Sequence, residues 1–265
     1  TVIAQLTGLL LSVVILLWKY GQVWQGLSFI RLLRDMRGMR QLISLNTNLF
    51  VRSLCFMIVY VGFTALSSKY GDTDLAVCSI LMKLFMLVSY FVDGFAYAGE
   101  ALVGKYIGEA KSQPLSNSPQ GAQYPIGGTP SNSHNISSLV RLLFIWSLGV
   151  GAVFTVAFAL WYMPMYSMMT SDVVVLNRLT DFTGWFIAMP IVSTLAFMWD
   201  GVFTGATAGK QIRNAMIWAA IGFVLGYVAT FHYLGTHALF VGYFLHLAAR
   251  VIYLTANWKQ VVEQQ

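Results

Sequence analysis

Long apolar runs with few polar interruptions dominate this chain, and their hydrophobic positions are continuous rather than alternating. Seven of them approach or exceed the roughly 20 apolar residues that cross a bilayer as helix: about 2–18, 48–66, 75–98, 139–163, 182–205, 214–231 and 238–257. Continuous apolarity predicts helices and not the strands of a barrel, because a helix satisfies its backbone polar groups within one segment. The predicted fold class is an all-α integral membrane protein with about seven transmembrane helices.

Composition agrees with that pattern. Hydrophobic residues make up 57% of the 265 positions and charged residues 10%, against about 25% charged in a soluble domain. Too few charges remain to cover a soluble surface. Cys55 and Cys78 both fall inside apolar runs, where a thiol behaves as a small core side chain, so no disulfide is expected.

The formal charge of +6 is explained by topology. Lys19, Arg31, Arg34, Arg37 and Arg40 follow the first run, Lys105, Lys111 and Arg141 flank the loop after the third, Lys210 and Arg213 follow the fifth, and Lys259 follows the seventh. The opposite loops hold mainly Lys69 and Arg178. The positive-inside rule then predicts an N-terminus outside and a C-terminus in the cytoplasm. Arg31, Arg34, Arg37 and Arg40 recur at helical spacing, which suits contact with anionic lipid headgroups along the inner surface. Membrane lipids are the expected partners and nucleic acid is not, since no soluble domain accompanies the arginines. Residues 111–137, rich in Pro, Ser, Gly, Asn and Gln, read as a disordered cytoplasmic loop. Its Asn-Ile-Ser at 135–137 lies on the wrong side for glycosylation. Thr1 opens into an apolar run without an initiator Met or a charged leader, which predicts that sequence precedes it.

Acids inside the oil need a physical reason. Asp93 and Glu100 lie seven residues apart on one helical face of the third run, and Lys83 lies ten residues before Asp93, about 80° around the same axis. Asp200 ends an apolar stretch of the fifth run and, like Asp93, is followed by glycine. A carboxylate in the membrane centre costs on the order of 3 kcal/mol on insertion scales. Two readings stand for Asp93, Asp200, Lys83 and Glu100: they satisfy one another or the helix ends near the interface, or they bind substrate or a proton during transport. His246 and Arg250 share a face of the last run, Asp181 meets water at an outer end, and Arg52 snorkels from the inner edge.

Small residues add a packing signal. Gly94, Gly201 and Gly205 permit close helix approach, and Pro190 predicts a kink ahead of Asp200. Tyr97, Phe203, Phe91 and Trp199 either line a cavity for an amphiphile or are ordinary packing. No metal cluster, nucleophile triad, phosphate loop or dinucleotide fingerprint is present in the sequence, so neither enzymatic chemistry nor a cofactor is expected.

Three stretches carry a resemblance: "YFVDGFAYAGEALVG" at 90–104, "FMWDGVFTGATAGKQIRNAM" at 197–216 and "RLLRDMRGMRQLISLNTNLFVRSLC" at 31–55. They resemble the multidrug and toxic compound extrusion (MATE) transporters, in the DinF-like branch, over nearly the whole chain apart from residues 111–137. The resemblance implies a two-lobe transporter of which this chain is the C-terminal portion. Residues 1–19 are then the last transmembrane helix of the N-lobe, 20–47 a basic cytoplasmic inter-lobe linker, 48–258 the six-helix C-lobe, and 259–265 a cytoplasmic tail. The remaining N-lobe is the implied partner.

The implied activity is secondary active antiport, exporting a small amphiphilic, cationic drug or toxic metabolite across the bacterial inner membrane. Protons are the favoured coupling ion and sodium the lesser one, because a C-lobe sodium site in another branch uses an acid in helix seven and residues 48–66 contain none. Replacing Asp93 or Asp200 with Asn is expected to impair efflux with expression largely intact. A lipid-linked oligosaccharide or lipid II flippase ranks second, since only Lys83 and Arg250 offer cationic groups for phosphate. An intramembrane aspartyl protease is remote, because the acids read Val-Asp-Gly and Trp-Asp-Gly and not the motifs of those enzymes.

Overall fold

Apolar runs of this length can only satisfy their backbone as helices in hydrocarbon, and the computed structural model, which describes residues 2–24, 36–112 and 132–263, is built of them. In chain order they are α1 (Val2–Trp24), α2 (Met36–Ser67), a 3-10 turn (Ser68–Tyr70), α3 (Asp72–Ser112), α4 (Asn132–Met169), α5 (Val173–Asp181), α6 (Thr183–Gly205), α7 (Gly209–Leu234) and α8 (His237–Glu263). Six of these, α2, α3, α4, α6, α7 and α8, are long and apolar enough to cross a membrane, and α1 contributes the shorter apolar stretch Gln5–Trp18. The chain is an integral membrane protein.

Helix ends depart from the predicted spans. α2 begins at Met36, inside the segment read as linker, and α4 begins at Asn132, so the end of the stretch read as disordered is helical. Arg31, Arg34 and residues 113–131 lie outside the described residues, as do the side chains of Lys19, Arg37 and Lys111. The chain divides into two compact units. One, Thr1–Ser44, holds α1 and the first turns of α2; the other, Leu45–Gln265, holds everything that follows.

Within the larger unit, α6 is the central helix. Two-thirds of its apolar window, 67%, is buried, against 11% for the window containing α2. Its most intimate neighbour is α3, and glycine is the cause. A Cβ placed on Gly201 would overlap the Ala96 carbonyl, one on Gly205 would overlap the Glu100 carbonyl, and one on Gly104 would lie 3.4 Å from the Gly205 carbonyl oxygen. The same device joins α7 to α8, where a Cβ on Gly242 would lie 2.8 Å from the Phe223 carbonyl oxygen. Gly94 plays no part in it: it faces open space, and Gly99 and Gly104 are the glycines of that helix that meet a neighbour. α6 also continues as helix through Pro190. The torsional break falls at Trp161 of α4 (φ −120°, ψ 20°), three residues before Pro164, whose ring cannot share space with the carbonyl four residues back.

Two apolar clusters form the core. One gathers Phe63, Leu81, Phe85, Phe186, Phe240 and Tyr243; the other gathers Val103, Val140, Met198, Phe203, Ile212 and Leu254. Beyond the first lies a polar knot that the sequence did not announce. Arg178 of α5 donates through Nε to Asp74 Oδ1 at 2.8 Å and through Nη1 to Asp181 at 2.9 Å, and Thr236, in the turn between α7 and α8, donates to Asp74 Oδ2. The bonds to Asp74, then the one to Asp181, hold the Arg178 guanidinium further above its already high value. One arginine thereby ties the start of α3, the short α5 and the α7–α8 turn into one end of the bundle. Arg178→Ala leaves the nearly buried Asp74 short of its donors and is expected to cost about 1–3 kcal/mol. Thermal unfolding in detergent reads that loss as a lower Tm.

Candidate functional site

Where the first core cluster gives way to the second, each of four helices carries a charged residue. These are Arg52 on α2, Asp93 on α3, Asp200 on α6 and Arg250 on α8, and all four line one cavity of about 530 Å³. Glu100 lines it as well, one helical face along from Asp93. Phe56, Tyr90, Tyr97 and Phe197 supply aromatic wall, and Met86 and Met216 supply adaptable apolar wall.

Asp200 is the best-held group in the site. Arg52 donates to its Oδ2 at 2.9 Å, and Arg250 donates to the same oxygen. Arg250 is 1% exposed, its guanidinium lying 5.4 Å from the Phe197 ring centroid, so burial, ion pair and ring contact fix it together. A buried guanidinium is tolerable only with such a partner. The other carboxylate oxygen of Asp200, Oδ1, is buried and has no hydrogen-bond partner, and neither has Arg250 Nε.

Asp93 is placed differently. It is half-buried in the same cavity, and no hydrogen bond or ion pair reaches it among the described residues. Glu100 is likewise half-buried and unpaired there. The cavity therefore contains one carboxylate already held by two arginines and two that are free to take a ligand.

Several predicted positions move. Lys83 is exposed on the outside of α3 and does not line the cavity, so it pairs with neither aspartate. Phe203 and Trp199 belong to the second core cluster, where Trp199 packs against Phe144 at 4.7 Å and Trp258 at 5.5 Å, and Phe91 packs on Phe154 at 5.1 Å. Of the aromatic candidates only Tyr97 lines the cavity. α3 turns the face of Tyr90, Asp93 and Tyr97 toward it, which leaves Phe91 on another side of the helix. Arg52, read as snorkelling, instead turns inward to Asp200. The overlooked signal was an arginine inside an apolar run on each of two helices, since a buried guanidinium requires an acid.

Away from the Asp74–Arg178 knot, Arg213 of α7 donates to Asn48 of α2 at 2.9 Å and to Asn214, which donates on to Tyr253 of α8 at 3.3 Å. These bonds brace the middle of α2 beside the cavity and keep Asn48 satisfied though buried.

The MatE family profile matches residues 49–123, the stretch that carries Arg52, Asp93 and Glu100. Over 255 residues the chain is 30% identical to DNA damage-inducible protein F of Escherichia coli (strain K12), an alignment covering 91% of this chain and 51% of that protein. By profile match, sequence identity and fold the chain is similar to the MATE family. Its fold is that of solved MATE transporters. It superposes on a MATE crystallised in complex with MaL6 with a TM-score of 0.70 at 12% identity, covering 87% of this chain and 49% of that one. An outward-facing multidrug resistance MATE transporter of the MOP superfamily aligns with a TM-score of 0.63 at 13% identity, covering 83% and 45%. The chain spans about half the length of its E. coli relative.

Proposed function

We propose that the chain is the C-terminal part of a secondary active antiporter that exports amphiphilic organic cations, drugs or toxic metabolites, across the bacterial inner membrane in exchange for protons. In this reading the N-terminus is outside and the C-terminus cytoplasmic, and an N-lobe of the same polypeptide completes the transporter. Similarity to the MATE transporters supports transport. The observation that carries the cation is Asp93, an acid without a partner in a cavity walled by aromatic and methionine side chains. An aromatic wall and a free carboxylate together suit a flat or bulky cation with apolar surface. A carboxylate that can take either a proton or an organic cation, but not both, is sufficient for exchange of the two.

The rival readings ask for other chemistry. A flippase of lipid-linked oligosaccharide or lipid II requires free cationic groups for phosphate, and both cavity arginines lie on Asp200. An aspartyl protease requires two carboxylates sharing a proton, and Asp200 is committed to two guanidinium groups.

Asp93→Asn in the full-length protein tests the proposal. Cells lacking their own exporters should accumulate a cationic dye to the level of an empty vector with membrane expression unchanged, and the purified variant should bind the dye at least about tenfold more weakly, the worth of one charge pair. Undiminished efflux by Asp93→Asn rules out its role.

A further inference from the structure

We infer that Arg52 is a tethered counter-ion that sets the net charge of the cavity and so makes it prefer monovalent over divalent organic cations. The inference rests on the cation-binding cavity proposed above and concerns how much positive charge that cavity accepts. Its charged lining is Asp93, Glu100 and Asp200 against Arg52 and Arg250, since Lys83 lies outside. Arg250 alone neutralises Asp200: it is buried and rests on the Phe197 ring. Arg52 is therefore a second positive charge on a carboxylate that already has one. Its formal effect is to offset one of the two free acids.

The geometry separates the two arginines. Both reach Oδ2, while Oδ1 is buried and unpartnered, so Arg52 doubles an existing contact and leaves an acceptor unused. The Arg52 side chain is 32% exposed against 1% for Arg250, and it comes from α2 at the cavity wall. With Arg52 in place the three acids and two arginines sum to −1, which one monovalent cation neutralises. A divalent cation leaves one positive charge uncompensated in the cavity, and that is costly. Without Arg52 the balance favours two positive charges.

Ethidium and propidium share one aromatic ring system and differ by one positive charge, which makes them a matched pair of probes. Their binding to the purified full-length protein is followed by fluorescence. Wild type should prefer ethidium. Arg52→Gln should raise the propidium-to-ethidium affinity ratio at least about tenfold, and Arg52→Lys, which restores the charge, should bring the ratio back. An unchanged ratio in Arg52→Gln overturns the inference even when both affinities fall, because loss of a clamp between α2 and α6 weakens both dyes alike. Failure of the underlying cavity reading has a separate signature: dye binding indifferent to Asp93→Asn.

Discussion

Asp200→Asn should deplete the folded protein as well as silence it. The substitution leaves the Arg250 guanidinium, 1% exposed, without its anion, and stranding a buried charge in this way costs about 3–5 kcal/mol. That is a large fraction of the 5–15 kcal/mol that holds a typical domain together. The expected result is a lower yield of monodisperse protein in detergent and a clear fall in Tm. Arg250→Met introduced alongside Asp200→Asn should recover much of the stability, because paired removal of buried charges is far less costly than removal of one. Asp93→Asn strands no partner and should leave Tm close to wild type. The sequence grouped the two aspartates by their shared Asp-Gly pairs, and their surroundings separate them into a structural acid and a ligand-free one.

Substitution of a single glycine on α6 should have an effect of comparable size. In Gly201→Ala the added methyl has no room, because the Ala96 carbonyl of α3 already occupies its position. Backbone cannot swing aside as a long side chain does, so α3 and α6 must separate along the stretch that carries Asp93, Glu100 and Asp200. Overpacking of this kind costs about 1–3 kcal/mol, and it displaces the two cavity walls relative to each other. Both Tm and dye binding are expected to fall. Gly94→Ala is the matched control, since its added methyl meets nothing within 4 Å; it should be neutral or gain about 0.5–1 kcal/mol from helix propensity. Thermal melts of the two variants side by side check the contrast, and equal melts would mean that the close contact at Gly201 carries no energy.

Much of the fold was legible because hydrocarbon imposes one solution on long apolar runs. The helix ends were less so: α2 starts at Met36 and not near 48, since the polar Asn46 and Asn48 interrupt apolarity without interrupting helix, and Asn48 finds Arg213 across the bundle. Asp93, Asp200 and Glu100 were legible as acids that needed a physical reason and Tyr97 as a cavity candidate, and all four line the cavity. Arg52, Tyr90 and Phe197 were not, because which side of a helix faces a cavity depends on neighbours thirty or more residues away. Pro190 and Pro164 make the same point. Each is a proline in an apolar helix, and only the second sits near a break, which local sequence does not distinguish. The Asp74–Arg178 pair joins positions more than one hundred residues apart, at two ends that read as ordinary loops.

The central claim is that Asp93 exchanges a proton for an organic cation. Its most direct test is proton release: purified full-length protein in weakly buffered detergent solution is mixed with ethidium while pH is followed. Exchange predicts that saturating ethidium releases close to one proton per protein at a pH where Asp93 is protonated, and that Asp93→Asn releases none. Ethidium binding with no proton release, or with the same release from Asp93→Asn, would contradict it.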